Sequence, residues 1–291
     1  MSYDLYLKAR SGTLNEEHVL EYFRGRPNYV VEYRQASYEN EDTGVHFMFG
    51  MHAGEPESTE AAYPVAFNLN FFRPSYFICE AEPEVTAFVR QFDCVVFDPQ
   101  STGMGEGEYQ DDKFVSAWIH GNEFAYQVIL EKPENRNNLL TLPTDRLAKI
   151  WQWNYGIKAL REHQTRDTFV PRIFLIQVEG HLATMSVWPD AISSVLPKVD
   201  YLLIGRQKFA PRRLLENVED KVLLPWQEAL QILERHGSPH PGDAILLEYV
   251  HQPKDVVDFV SALTPQQQQM IGVPVSEVLD RELVEKATRG R

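Results

Sequence analysis

The chain has 291 residues, 43% of them hydrophobic and 12% aromatic, which is enough to bury a core in one large domain or two ordinary ones without disulfide or metal staples. Its net charge of −14 argues against a nucleic-acid binder, because phosphate neutralisation by Lys and Arg supplies most of that affinity. No apolar run approaches the ~18 residues of a membrane span, and the start Met1 to Leu7 lacks a charged n-region and an A-x-A site, so a cytoplasmic protein with reduced core thiols at Cys79 and Cys94 is expected.

Residues 2 to 8 alternate Tyr3, Leu5 and Leu7 against Asp4, Tyr6 and Lys8, the period of a half-buried strand. Thr13 with Glu16 reads as a capping box, and the helix that follows would bury Val19, Leu20 and Phe23 before Gly25 and Pro27 stop it. A strand over about 29 to 38 leads into an acidic turn, Glu39 to Gly44, and a further strand with Val45, Phe47 and Phe49 on one face; Asn40, Asp42 and Gly44 are the turn formers of a hairpin. A loop over 52 to 62 precedes the alternation Val65, Phe67, Leu69, Phe71. Glu82-Pro83 is expected to open a helix with Val85, Phe88, Val89 and Phe92 on one side, and Cys94 to Phe97 reads as a short buried strand ending at Asp98-Pro99. A glycine-rich acidic loop, 100 to 110, and a helix over about 111 to 131 complete a first α+β unit, residues 1–131.

Residues 132–142, with Pro133 and a run of Asn and Arg, are predicted as a linker. A long helix from Thr144 to about His163 would join the units, its apolar residues spread around the circumference. In the second unit, residues 143–291, Ile173 to Trp188 reads as a hairpin about Glu179-Gly180, Pro189 as the start of a short helix, and Val199 to Ile204 and Ala244 to Val250 as strands. Pro225 and Pro253 open helices, and Thr264-Pro265 and Ser276 mark further helix starts in the tail. The fold class is therefore α+β, two units each with a mainly antiparallel sheet and helices on one face.

Charge is unevenly spread. Residues 1 to 140 hold 23 acids and 10 bases, a net of −13, whereas the remainder is nearly balanced. Within 35 to 112 there are 15 acids against Arg73 and Arg90 alone, which makes that segment the first place to look for function.

Motifs for chemistry are weak beside this imbalance. Gly103-Met104-Gly105-Glu106-Gly107 follows a strand and precedes a helix, as a phosphate cradle would, but lacks GxGxxG or P-loop spacing and is flanked by acids. The acids miss the Ca²⁺-loop pattern, and no motif calls for a cofactor or a metal. His46 with Asp98 could form a general acid/base or metal pair, although Asp98 before Pro99 reads equally as an Asx turn; His236, His240 and His251 group around a helix stop. Trp151, Trp153 and Tyr155, and the run Phe67 to Phe72, could line a pocket but are the ordinary stuff of a core.

The start Ser2 to Leu7 and the hairpin Tyr38-Glu39-Asn40-Glu41-Asp42-Thr43-Gly44-Val45-His46-Phe47 resemble bacterial cytosolic proteins that are in turn similar to immunity proteins of polymorphic toxin systems. That resemblance implies a protein that binds and blocks a toxin, and it brings no catalytic residues with it. The leading expectation is a non-enzymatic binding protein whose basic protein partner meets Glu39, Glu41, Asp42, Glu55, Glu57, Glu60, Glu106, Glu108, Asp111 and Asp112, with neither nucleic acid nor membrane as partner. The alternative is a metal-assisted hydrolase using Asp98, Asp111 and Asp112 with His46.

Overall fold

The computed structural model describes residues 1–52, 58–100, 102–164, 167–206, 221–264 and 269–289. Its helices and mostly antiparallel sheets make it an α+β protein. Contacts divide the chain into one unit of residues 1–148 with 276–291, and a second of residues 149–275.

The first unit contains, in order, β1 (Ser2–Ala9), α1 (Glu16–Arg24), β2 (Tyr29–Glu32), β3 (Gln35–Glu39), β4 (His46–Met51), β5 (Val65–Asn70), α2 (Phe77–Phe92), β6 (Cys94–Asp98), β7 (Gly105–Gly107), α3 (Asp111–Ile129), β8 (Leu140–Leu142) and the start of α4 (Thr144–Glu162). Strands β1 to β7 form one sheet in the order β2-β3-β4-β5-β1-β6-β7, every pair antiparallel. The period-two pattern decides its two faces. Tyr3, Leu5, Leu7, Phe47, Phe49, Phe67, Leu69 and Val96 are buried. Helices cover that face: Phe23 of α1 and Phe88 of α2 lie 4.9 and 5.1 Å from Phe49, and Phe114 of α3 lies 5.6 Å from Phe67. Burying each of these rings is worth about 1.5–3 kcal/mol relative to exposure, so the aromatic cluster is the main adhesive of the unit.

Several boundaries differ from the sequence expectation. The strand expected over 29 to 38 is two, β2 and β3, because Tyr33 takes a left-handed φ of 52° and reverses the chain. Helix α1 is capped by Asn15, whose Oδ1 accepts the His18 N–H at 3.1 Å, in place of Thr13. Helix α2 starts at Phe77 and carries Pro83 inside it; burial of Phe77, Ile78 and Ala81 in its first turns outweighs the backbone hydrogen bond that proline removes. Cys94 is buried, its thiol pushed up to about 12 mainly by burial, but Cys79 is exposed on α2 and is not a core thiol.

Residues expected as a linker are structured, forming the 3-10 turn Pro133–Arg136 and β8. In the second unit, β9 (Phe174–Val178), β10 (His181–Pro189), β12 (Tyr201–Gly205), β13 (Lys221–Pro225) and β16 (Met270–Val273) form a sheet in the order β13-β12-β10-β9-β16, and β11 (Ser194–Pro197), β14 (Gly237–His240) and β15 (Ala244–Leu247) form another. The hairpin about Glu179-Gly180 is present, with φ of 52° and 80° at the two turn residues. Pro189 ends β10 and starts no helix: Asp190 and Ala191 both take positive φ, which turns the chain directly into β11. Helices α5 (Trp226–His236) and α6 (Lys254–Ala262) follow Pro225 and Pro253 as expected. The start expected at Thr264-Pro265 reaches outside the described residues.

After the second unit the chain returns to the first as β17 (Val278–Asp280) and α7 (Arg281–Thr288). β17 pairs in parallel with β8, and Leu279 and Ala287 bury against Tyr126 and Leu130 at the end of α3. Among the described residues no helix is long and apolar enough to cross a membrane.

Candidate functional site

The hairpin joining β3 to β4 is built from the inside. Tyr38 pairs with Phe47 and Glu39 with His46, and the Asn40 N–H donates to the Val45 carbonyl at 3.0 Å. The Asn40 carbonyl accepts from Thr43 and Gly44, at 3.2 and 2.7 Å, while its side-chain Oδ1 accepts the Asp42 N–H at 3.0 Å, an Asx turn nested in the hairpin. Gly44 supplies φ of 73°, and a side chain there would press on Ser276, 3.3 Å from its backbone nitrogen.

Beneath the turn lies Glu80 of α2, 1% exposed. Its Oε1 accepts from the Tyr38 hydroxyl at 2.7 Å and from Asn40 Nδ2 at 2.6 Å. A carboxylate buried without such donors would cost several kcal/mol, so Tyr38, Asn40 and Glu80 must be kept together. The Tyr76 hydroxyl adds a bond of 3.3 Å to the Thr43 carbonyl. As a result Asn40 and Thr43 point inward, Glu39 and Glu41 stand exposed, and Asp42 is half-buried.

The other acids of the segment fare differently. Just after β7, Glu108 grips Arg10 with two contacts of 2.6 Å, and on β7 Glu106 accepts from the Tyr63 hydroxyl at 2.7 Å and Lys8 at 3.3 Å. Those partners hold both carboxyls below their ordinary range, Tyr63 foremost for Glu106 and Arg10 for Glu108. Asp93 also meets Arg10, at 3.3 Å, and Glu84 meets Arg26 at 2.6 Å. Lys8, Arg10 and Arg26 all precede the acidic segment in sequence, which is why a linear count missed them. Asp111 and Asp112 open α3, where their carboxylates accept the N–H groups of the next residue and suit the positive helix end. Glu60 is half-buried in the 3-10 turn Thr59–Ala62, and Glu55 and Glu57 lie outside the described residues.

The described acids of this set are therefore not one surface. β3 and β7 are five strand spacings apart, roughly 24 Å.

No family model, curated protein or solved structure matches the chain.

His46 and Asp98 do not form a pair. They sit on β4 and β6 with two strands between them, and the alternation turns Asp98 toward the buried face and His46 toward the other. Asp98 is consumed by its own loop: it accepts from the Tyr3 hydroxyl, and from the Gln100 and Met104 N–H groups at 3.0 Å each. Gly103 is required by that arrangement, since a side chain there would start 2.1 Å from Asp98 Oδ2. The glycine-rich loop thus folds around an internal carboxylate, and its Met104 N–H is not available to a phosphate. His46 keeps its Nδ1 at 3.2 Å from the Gly44 carbonyl oxygen. Among the described residues no group of three or more His, Cys, Asp and Glu could hold a metal ion. In the second unit His236 pairs with Asp255 at 2.8 Å and ties α5 to α6.

The helix-free face of the first sheet holds a groove of 350 Å³ beside the hairpin, lined by Ser37, Glu39, His46, Met48, Asn68 and Asn70, with the backbone of β3 and β4. No sequence motif announces it, because its lining comes from three strands. The second unit has a cavity of 620 Å³ along α4, walled by Trp153, Gly156, Leu160 and the turn at Pro241 to Asp243. Trp153 itself is core, its Nε1 donating to the Pro171 carbonyl at 2.9 Å.

Proposed function

We propose that the chain is a non-enzymatic binding protein that engages a basic protein through the β3–β4 hairpin, and that the partner is a toxin it neutralises, as the resemblance of the hairpin sequence implies. The observation that carries the reading is the construction of the turn: Asn40, Thr43 and Glu80 lock it from within while Glu39 and Glu41 are held out to solvent. A loop already fixed in one conformation loses little entropy on binding, and exposed acid on it steers a basic partner. A metal-assisted hydrolase is less well supported, since the acid and histidine it needs are on opposite faces of the sheet.

The test is a titration with basic proteins encoded by adjacent genes, at low salt and again at roughly 0.5 M, where the screening length falls below 5 Å. Tight binding that weakens steeply with salt is expected. Binding that ignores salt, or no basic partner at all, would remove the electrostatic reading.

A further inference from the structure

We infer that the groove beside the hairpin receives a cationic side chain, an arginine or lysine of the basic partner; this rests on the proposed binding reading and adds the place and chemistry of one contact. Register arranges the lining in two rows on the helix-free face. Glu39 stands opposite His46, and Ser37, Met48, Asn68 and Asp4 run side by side across four strands.

The groups in these rows present acceptors. Asn68 Nδ2 donates to Asp4 Oδ1 at 2.6 Å, which orients the amide and leaves its carbonyl oxygen to accept. With its proton on Nδ1 toward the Gly44 carbonyl, His46 offers Nε2 as an acceptor also. Met48 sits between, its sulfur fixed by Gln35 Nε2 at 2.7 Å, and provides an apolar strip. Glu39 supplies the charge at one end, and among the described residues no Lys or Arg lines the groove.

A long basic side chain fits this chemistry. Its methylenes lie along Met48, and its head donates to the Glu39 carboxylate and the asparagine oxygens. An anion would meet Glu39 with no described base to offset it, and an apolar side chain would desolvate the amides without giving them partners.

The experiment uses the ¹⁵N-labelled full chain titrated with a short arginine peptide and with the same peptide in citrulline, which keeps the shape and removes the charge. The arginine peptide should shift the amide signals of Ser37, Glu39, Met48 and Asn68, and the citrulline peptide should not. Asn68→Leu should weaken the arginine peptide about 10-fold or more, the loss of one charge-assisted hydrogen bond. The mapping on the unaltered chain stands even if that variant folds poorly. Shifts confined to Glu41 and Asp42, or equal binding of citrulline, overturn the groove while leaving the hairpin reading intact. Failure of the arginine peptide to bind anywhere at low salt removes both.

Discussion

At the β7 edge Glu108 meets Arg10 twice at 2.6 Å and Glu106 meets Tyr63 and Lys8; at the β3–β4 turn, roughly 24 Å away across the sheet, Glu39 and Glu41 are exposed on a turn tied down from beneath by Glu80. Both sets of acids belong to the same run of sequence. The difference comes from what the neighbouring strand offers. β1 lies close enough to β7, through β6, for Lys8 and the adjoining Arg10 to reach the acids at that edge, whereas the residue across the strand pair from Glu39 is His46. Charge density along a chain is therefore a poor guide to charge density on a surface, because a fold with long-range strand pairing decides which bases meet which acids.

The largest expected effect breaks this comparison directly. Glu39→Lys with Glu41→Lys, and Glu106→Lys with Glu108→Lys, change net charge by the same amount at the two edges. The hairpin pair should slow association with the basic partner about 10-fold or more at low salt, because local acid steers encounter. The β7 pair should leave the association rate within about 2-fold, since those acids are already neutralised in place. Stopped-flow rates at two salt concentrations decide it. Equal loss from both pairs would mean that net charge alone matters and that the hairpin has no special standing.

Much of the first unit was legible in the sequence because one face of its sheet is buried. Tyr3, Leu5, Leu7 and Phe47, Phe49 announce strands by alternation, and the helix residues Val19, Phe23 and Phe88 announce the layer above them. The split of β2 from β3 was not legible, since Tyr33-Arg34 carries no turn residue; its φ of 52° is imposed by pairing on both sides. Nor could the tail be placed: β17 is only three residues long, and its partner β8 precedes it by more than a hundred positions. At the site, the turn itself was readable from Asn40, Asp42 and Gly44. What holds it was not, because Glu80 looks in sequence like one more surface acid and only the fold brings it under Asn40.

A smaller effect tests whether the turn is fixed from within. Asn40→Ala removes the cap on Asp42 N–H and leaves Glu80 with one fewer donor in a buried place, a loss of roughly 1–3 kcal/mol. Hydrogen exchange should show faster opening of residues 40 to 46 with little change around Arg10 and Glu108. Binding should weaken even though no charge has been altered. Unchanged exchange in the turn, with binding intact, would show that preorganisation plays no part.

The smallest effect concerns Asp280, which secures the tail whose Ser276 backs Gly44. Asp280 is 1% exposed; Oδ2 accepts the Ser75 N–H at 2.8 Å while Oδ1 finds no hydrogen-bond partner among the described residues. Burial raises its pKa above the ordinary aspartate value near 3.9, against the opposing pull of the Ser75 N–H and Thr144. A carboxyl raised in the folded state contributes stability that is complete below the unfolded value and is lost as pH rises through the folded one. Asp280→Asn keeps an acceptor for Ser75 and cannot ionise. The melting temperature of the variant minus that of the unaltered chain should therefore grow more positive as pH rises from near 4 toward neutrality and then level off. Differential scanning calorimetry across that range checks the sign. A difference that stays flat would mean that Asp280 ionises as easily in the folded chain as in the unfolded one, and that the tail behind the hairpin carries no cost of a buried charge.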